Sequence, residues 1–183
     1  GAVGNNGIGT VGVAWKVKMM ACRFFDDAGV GSVSDAVTAI DYARKNGANI
    51  INASFASTNY SSALSVAMSQ CRSAGIVVVA AAGNDGRDIE STPSYPANLK
   101  LDNIVVVTAT TRQDLLASFA NYGSVSVDIA APGQDIVTTC NATDSDYVLA
   151  SGTSIAAPIV TGGLALMKAR FPSETPQQSL QRM

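Results

Sequence analysis

Seven consecutive apolar residues, at positions 76–82, limit the folds that are open to this chain. A strand with one face in water alternates apolar and polar side chains, whereas a strand of a parallel sheet is covered on both faces and reads as an unbroken apolar run. Residues 104–110 repeat the pattern. We therefore expect both segments to be strands of a mostly parallel sheet.

Helical patterns separate these runs, which is typical of an α/β fold. Ser32 opens a capping box, and Gly47 is suited to end the helix that follows. Predicted helices cover residues 32–46, 61–73, a segment from 154 to about 171, and a last one from 175. Further predicted strands cover residues 17–25, 49–55, 125–130 and 136–139. No linker interrupts the pattern, so residues 1–183 are expected to form one domain.

Composition excludes several classes of protein. Of 183 residues, 47% are apolar and 14% are charged, which suits a chain with a large buried core. The net charge of −2 argues against nucleic acid as a partner, and no apolar run approaches the roughly 18 residues of a membrane span. Cys22, Cys71 and Cys140 are too few and scattered for a disulfide scaffold or a zinc site. We expect small buried hydrophobes, although one disulfide remains open.

Ser154 and Asn84 are the candidates for chemistry. Ser154 stands among small residues where a helix begins, so its hydroxyl is uncrowded and its N–H could face a developing oxyanion. Asn84 follows the apolar strand at 76–82, and its amide could donate to the same oxyanion. The simpler alternatives are a helix N-cap for Ser154 and a turn residue for Asn84. The chain contains no histidine that could serve as a base.

Four motifs give these residues a context. They are INASF, AAAGNDG, DIAAPG and SGTSIAAPIVTGG, at residues 51–55, 80–86, 128–133 and 151–163. Their order and separation resemble those of the subtilisin-like serine proteases, and the resemblance covers essentially the whole chain. It implies a three-layer α/β/α sandwich with a mostly parallel sheet, and peptide-bond hydrolysis through an acyl-enzyme that needs no cofactor.

The resemblance also implies roles for individual residues. Ser154 matches the nucleophile, and Asn84 matches the amide of the oxyanion hole. The substrate-binding matches are Ser54, Phe55 and Ala56, on a strand that pairs with the substrate, and Ala81, Ala82 and Gly83, on a pocket wall. Tyr95-Pro96 matches a position with a cis peptide bond. Polypeptides are the implied substrates, and a propeptide is a possible partner.

The family's catalytic aspartate and histidine both precede its serine in sequence. We therefore expect this chain to be the C-terminal part of a catalytic domain, inactive alone, whose parent is an exported endopeptidase. The family's sheet also includes earlier strands, so an open sheet edge and exposed apolar surface are expected. A peptide-binding protein that kept the fold without catalysis remains open, whereas a lipase-type hydrolase would need a histidine after Ser154.

Residues 4–10 resemble the family's calcium loop. The implied ligands are the side-chain oxygen of Asn6 and the carbonyl oxygens of Gly4, Ile8 and Thr10, which suit a hard cation. The resemblance therefore predicts structural calcium in the full-length protein. The alternative is an ordinary surface loop.

Overall fold

A four-stranded parallel sheet forms the centre of the computed structural model, which describes residues 1–140 and 146–183. Its strands, in spatial order, are β1 (Ile50–Ala53), β2 (Val77–Ala81), β3 (Ile104–Thr110) and β4 (Ile129–Pro132). Ile50 pairs with Val77, and Val78 pairs with Ile104. All five residues of β2 are buried, as the unbroken apolar run predicts.

The helices begin where the sequence provides caps. They are α1 (Val33–Lys45), α2 (Ser62–Ser73), α3 (Thr153–Arg170) and α4 (Pro176–Gln181), and a 3-10 turn lies at Ala97–Leu99. The side chains of Ser32, Ser61 and Thr175 accept hydrogen bonds from first-turn N–H groups that have no partner inside their helices. The capping box at α4 is complete. These local signals explain why the predicted helices are confirmed.

Alternate residues of β2 face two different cores. Val78 and Ala80 belong to one core, which α1 and α2 cover. Val77, Val79 and Ala81 belong to the other, which α3 covers. The predicted three-layer α/β/α arrangement is therefore confirmed.

The prediction of a strand at residues 17–25 is wrong. Among the described residues, β1 pairs only with β2, and residues 17–24 lie outside the sheet. Strand conformation needs backbone partners, and this segment has only the isolated bridge from Phe25 to Gly31. Phe24 instead packs edge-on against Phe55, with ring centroids 5.2 Å apart.

The expected open edge and exposed apolar surface are both present. The edge of β1 that faces away from β2 is unpaired among the described residues. Exposed large apolar side chains are frequent in the N-terminal segment: Val3, Ile8, Val11, Val13, Trp15, Val17, Met19 and Met20. None of these residues is a member of either core.

A separate antiparallel hairpin leads into α3. It consists of β5 (Ile136–Thr139) and β6 (Tyr147–Ala150), and the sequence analysis missed β6. Its four residues are all apolar, so its sequence lacks the alternation of apolar and polar side chains that predicts a half-buried strand. The strand predicted at 125–130 begins later, at Ile129, because residues 124–126 form a turn.

All three cysteines are free thiols, so no disulfide contributes to this fold. Cys71 lies on the buried face of α2, and burial raises the pKa of its thiol. Cys22 and Cys140 are only partly buried. In the part of the chain that the structure describes, no helix combines the length and apolar character needed to cross a bilayer.

Candidate active site

Ser154 is the second residue of α3, directly after the buried Thr153. The N-cap position belongs to Gly152, which makes no side-chain cap, so the interpretation of Ser154 as an N-cap is wrong. Ser154 instead lies in the first turn, where the aligned peptide dipoles place partial positive charge. A nucleophile at this point reacts beside the N–H groups that the helix leaves unpaired.

Three polar groups converge on the space beside Gly152. The first side-chain carbon of any residue replacing Gly152 would lie 2.8 Å from Ser154 Oγ, 3.4 Å from Asn84 Nδ2 and 3.6 Å from Ser154 N. Acyl transfer needs such a space, about 3 Å from both a nucleophile and the donors that stabilise an oxyanion. The structure therefore brings Ser154 and Asn84 together, although they are far apart in sequence.

Thr153 fixes the orientation of the Asn84 amide. Its N–H and its hydroxyl both donate to Asn84 Oδ1, at 2.8 and 2.9 Å. Because the amide oxygen is held, the Asn84 NH2 group is left to face the space beside Gly152. The Thr153 hydroxyl also accepts the Gly83 N–H at 3.0 Å. Sequence reasoning missed Thr153, although it lies next to Ser154 in the motif.

The site lies at the carboxyl edge of the parallel sheet, where α/β proteins commonly place ligands. Ser54 follows the last residue of β1, and its hydroxyl donates to the carbonyl oxygen of Ser154 at 2.8 Å. Asn52 donates to Ser54 Oγ at 2.8 Å and accepts from the Thr161 hydroxyl of α3 at 3.0 Å. Side-chain hydrogen bonds thus join the end of β1 to the nucleophile helix.

The residues predicted to bind substrate differ in exposure. Ser54 and Phe55 are partly buried, and Ala56 is exposed. Ala81 and Ala82 are buried, with side chains in the two cores on opposite sides of the sheet. Only their backbones, with that of Gly83, can face a substrate. A cavity of about 570 Å³ lies elsewhere, between residues 21–26 and α1.

The segment 54–56 continues from β1 without a strand partner among the described residues, and it ends where Ser57 pairs with Tyr95. Two backbone hydrogen bonds of 2.9 and 2.8 Å join Ser57 to Tyr95. The Tyr95-Pro96 peptide bond is cis, as the resemblance predicts. Ser94, which precedes it, is fully buried. Its hydroxyl would lie 3.4 Å from a first side-chain carbon at Gly83, so it lies under the predicted pocket wall.

A base for Ser154 is missing from the described residues. No side chain among them hydrogen-bonds to Ser154 Oγ, and the sequence has no histidine. Lys168 lies 14 positions along α3 from Ser154, which is about 21 Å at the helical rise. Its Nζ donates to the carbonyl oxygen of Glu174 at 2.9 Å. A serine–lysine dyad is therefore excluded by distance.

The calcium site that the resemblance implies at residues 4–10 stays a prediction for the full-length protein. Asn6 Oδ1 accepts the Ile8 N–H at 3.1 Å, and the implied carbonyl ligands are Gly4, Ile8 and Thr10. Calcium binds six to eight oxygens, so the predicted site needs ligands beyond these four. Across residues 1–140 and 146–183, no group of three His, Cys, Asp or Glu side chains is placed to hold a metal ion.

The parallel sheet, with Ser154 and Asn84 at its carboxyl edge, defines the class as an α/β protein. Residues 1–183 match the peptidase S8 family, described as the subtilase family, and the chain belongs to it. A solved protease from Pseudoalteromonas arctica superposes with a TM-score of 0.89 at 34% identity, covering 98% of this chain and 59% of that one. The subtilisin-like fold is thereby confirmed.

Two relatives extend the comparison. A thermostable alkaline protease from Halalkalibacterium halodurans is 40% identical over 179 residues, which are 98% of this chain and 47% of that protein. Thermitase from Thermoactinomyces vulgaris is 40% identical over 166 residues, which are 91% of this chain and 57% of that protein. The chain thus spans about half the length of these relatives.

Proposed function

We propose that this chain carries the nucleophile and the oxyanion hole of a serine endopeptidase. The observation that supports it is the convergence of Ser154 Oγ, Asn84 Nδ2 and the Ser154 N–H around the space beside Gly152. Membership of the subtilase family and the names of the relatives are consistent with proteolysis.

The proposed reaction proceeds in two steps. Ser154 Oγ attacks the carbonyl carbon of the scissile bond and gives its proton to a base. The oxyanion accepts hydrogen bonds from Asn84 Nδ2 and the Ser154 N–H, beside the positive end of α3. When the tetrahedral intermediate collapses, the amine takes a proton and leaves an ester on Ser154. Water then attacks this ester, and the acid departs as Ser154 regains its proton.

The proposal includes the source of the base. A serine hydroxyl is a weak nucleophile until a base removes its proton, and this chain has no histidine. We propose that the aspartate and the histidine belong to the rest of an exported parent protein, which a propeptide accompanies. In one well-measured serine protease, loss of the histidine lowers turnover by about 10⁶. The chain alone is therefore expected to show almost no peptidase activity.

The proposed substrates are polypeptides in extended conformation. The segment 54–56 has free backbone groups next to the nucleophile, so a peptide can pair with it in the manner of an added strand. The second candidate is a protein that binds peptides here without cleaving them. The absence of a base beside Ser154 Oγ in the described residues favours that candidate for the isolated chain.

Chemical rescue tests the proposal. Imidazole in solution replaces the missing base, and p-nitrophenyl acetate serves as an activated acyl donor. We expect imidazole to produce hydrolysis above the level of the Ser154→Ala variant, together with an acetylated Ser154 detectable by mass spectrometry. Asn84→Ala should lower this Ser154-dependent rate by about 10²–10³. Equal rates in the unsubstituted 183-residue chain and in Ser154→Ala, with no acetyl adduct, would refute the proposal.

A further inference from the structure

Asn121 is fully buried and contacts the chain on both sides of Asn84. Its Oδ1 accepts the N–H groups of Asp85 and Arg87, at 2.9 and 3.2 Å. Its Nδ2 donates to the carbonyl oxygen of Ala82 at 3.0 Å. The side chain therefore bridges the segment before Asn84 and the segment after it.

Backbone hydrogen bonds also join the segment around Asn121 to the segment around Asn84. The Asn121 N–H donates to the carbonyl oxygen of Gly83 at 2.9 Å, and the Gly86 N–H donates to that of Phe119 at 2.7 Å. The Tyr122 N–H donates to the carbonyl oxygen of Arg87 at 3.0 Å. Residues 119–122 thus run alongside the loop of residues 82–87, which we call the oxyanion loop.

The sheet in turn holds Asn121. The Thr108 hydroxyl of β3 donates to the Asn121 carbonyl oxygen at 2.6 Å, and both groups are buried. β3 is a central strand, paired with β2 and β4. The hydrogen bonds of Asn121 therefore connect the oxyanion loop to a central strand of the sheet.

Gly83 shows how closely the two segments pack. A first side-chain carbon there would lie 2.3 Å from Asn121 Nδ2, which is far inside contact distance. Gly83 also has a φ of 107°, a backbone conformation that side chains disfavour. A glycine at this position allows the Asn121 amide to reach Ala82 and Asp85.

We propose that Asn121 is a positioning residue for the oxyanion hole, an inference that rests on the proposed function. A buried amide is costly to leave unpaired, so its bonds hold the oxyanion loop in one conformation. The direction of the Asn84 side chain follows from that conformation together with its bonds to Thr153. Donors that are oriented before the reaction need no reorganisation as the oxyanion forms.

Asn103 offers a matched control, because it too is a fully buried asparagine. Its Nδ2 donates to the carbonyl oxygen of Ile76, at the opposite end of β2. Substitution of either asparagine removes a buried amide and lowers global stability. Only substitution of Asn121 removes contacts to the oxyanion loop.

The test compares Asn121→Ala with Asn103→Ala in the full 183-residue chain labelled with ¹⁵N. Amide hydrogen exchange is measured at Asp85 and Arg87 relative to Val79 in the core, and the side-chain NH2 signals of Asn84 are monitored. We expect Asn121→Ala to accelerate relative exchange at Asp85 and Arg87 by about tenfold, the effect of one lost buried hydrogen bond, and to shift the Asn84 signals. Asn103→Ala should leave both readouts unchanged.

A conservative variant separates an effect on the orientation of the Asn84 side chain from an effect on folding. Asn121→Asp keeps an acceptor for the Asp85 and Arg87 N–H groups but loses the donor to Ala82, so we expect it to retain their protection. It should nevertheless shift the Asn84 signals, whereas Asn103→Asp should not. If Asn121→Ala does not fold, this second pair decides the matter.

Two results would overturn the inference. One is that the Asn84 NH2 signals are unchanged in both Asn121 variants. The other is that the Asn103 variants shift these signals as much as the Asn121 variants do. The proposed function fails separately, when hydrolysis in the presence of imidazole does not depend on Ser154. The exchange measurements need no activity, so the two failures are distinguishable.

Discussion

The Ser54 hydroxyl donates to the carbonyl oxygen of Ser154 at 2.8 Å, across 100 positions of sequence. This bond joins the carboxyl end of β1 to the first turn of α3. The bond therefore links the nucleophile to the first residue of the segment proposed to bind substrate. A change at Ser54 should affect the position of Ser154 as well as stability.

Replacing Ser54 by alanine removes this hydrogen bond and leaves Asn52 Nδ2 without its acceptor. We expect a loss of about 1 kcal/mol in the free energy of unfolding, the usual net value of one hydrogen bond. The Ser154-dependent ester hydrolysis should also fall. Urea unfolding and the imidazole assay measure these effects. Ser57→Ala is the control, because the Ser57 hydroxyl accepts only the nearby Asn59 N–H among the described residues. This variant should change neither the stability nor the rate of hydrolysis.

Thr153→Val tests the support of the Asn84 amide. The variant keeps the shape of the side chain but leaves the Gly83 N–H without an acceptor and removes one donor from Asn84 Oδ1. We expect a loss of about 1–3 kcal/mol in stability, because a buried donor is left unpaired, and a lower Ser154-dependent rate. Thr153→Ser keeps the hydroxyl and should restore most of both. Equal behaviour of the two variants would contradict a role for the hydroxyl.

A methyl group at Gly152 should block the space for the oxyanion. It would lie 2.8 Å from Ser154 Oγ, so Gly152→Ala is expected to lower the imidazole-supported rate by about a hundredfold or more, as loss of an oxyanion donor does. The control is Gly163→Ala in the same helix, where a methyl group meets nothing within 4 Å. That variant should stabilise the chain by about 0.5–1 kcal/mol and leave the rate unchanged. An active Gly152→Ala variant would place the reacting carbonyl elsewhere.

The stability of the chain should depend on Glu90 in acid. Hydrogen bonds from the N–H groups of Ser126, at 2.7 Å, and Val125, at 3.0 Å, hold the pKa of this carboxyl below its ordinary value. A lowered pKa in the folded state stabilises the fold above the unfolded pKa of about 4.3, and the contribution disappears as the pH falls through the folded value.

Glu90→Gln should therefore destabilise the chain at pH 7 and reduce the steepness with which stability falls below about pH 4. Urea midpoints between pH 3 and 7 compare the two chains. Parallel curves for Glu90→Gln and the unchanged chain would show that the carboxylate contributes nothing specific. Asp114→Asn, at an exposed turn, is a control for the removal of one negative charge.

Local signals in the sequence were sufficient for much of the fold. Ser32 caps α1, Ser61 caps α2, and residues 76–82 and 104–110 contain β2 and β3, because caps and unbroken apolar runs act over a few residues. The strand predicted at residues 17–25 was wrong for the opposite reason. A strand needs a neighbour with free backbone groups, and periodicity does not show whether that neighbour is present.

The sequence by itself determined the family, the helices with their caps and the two central strands. It also indicated Ser154 and Asn84, because each lies in a short contiguous motif that is visible in the sequence. Only the tertiary structure showed that Thr153 holds Asn84 and that Asn121 holds the loop around it. Both act through hydrogen bonds to groups remote in sequence, at 69 positions for Thr153 and 39 for Asn121. Such bonds have no periodicity, since they exist only when folding brings separate segments together.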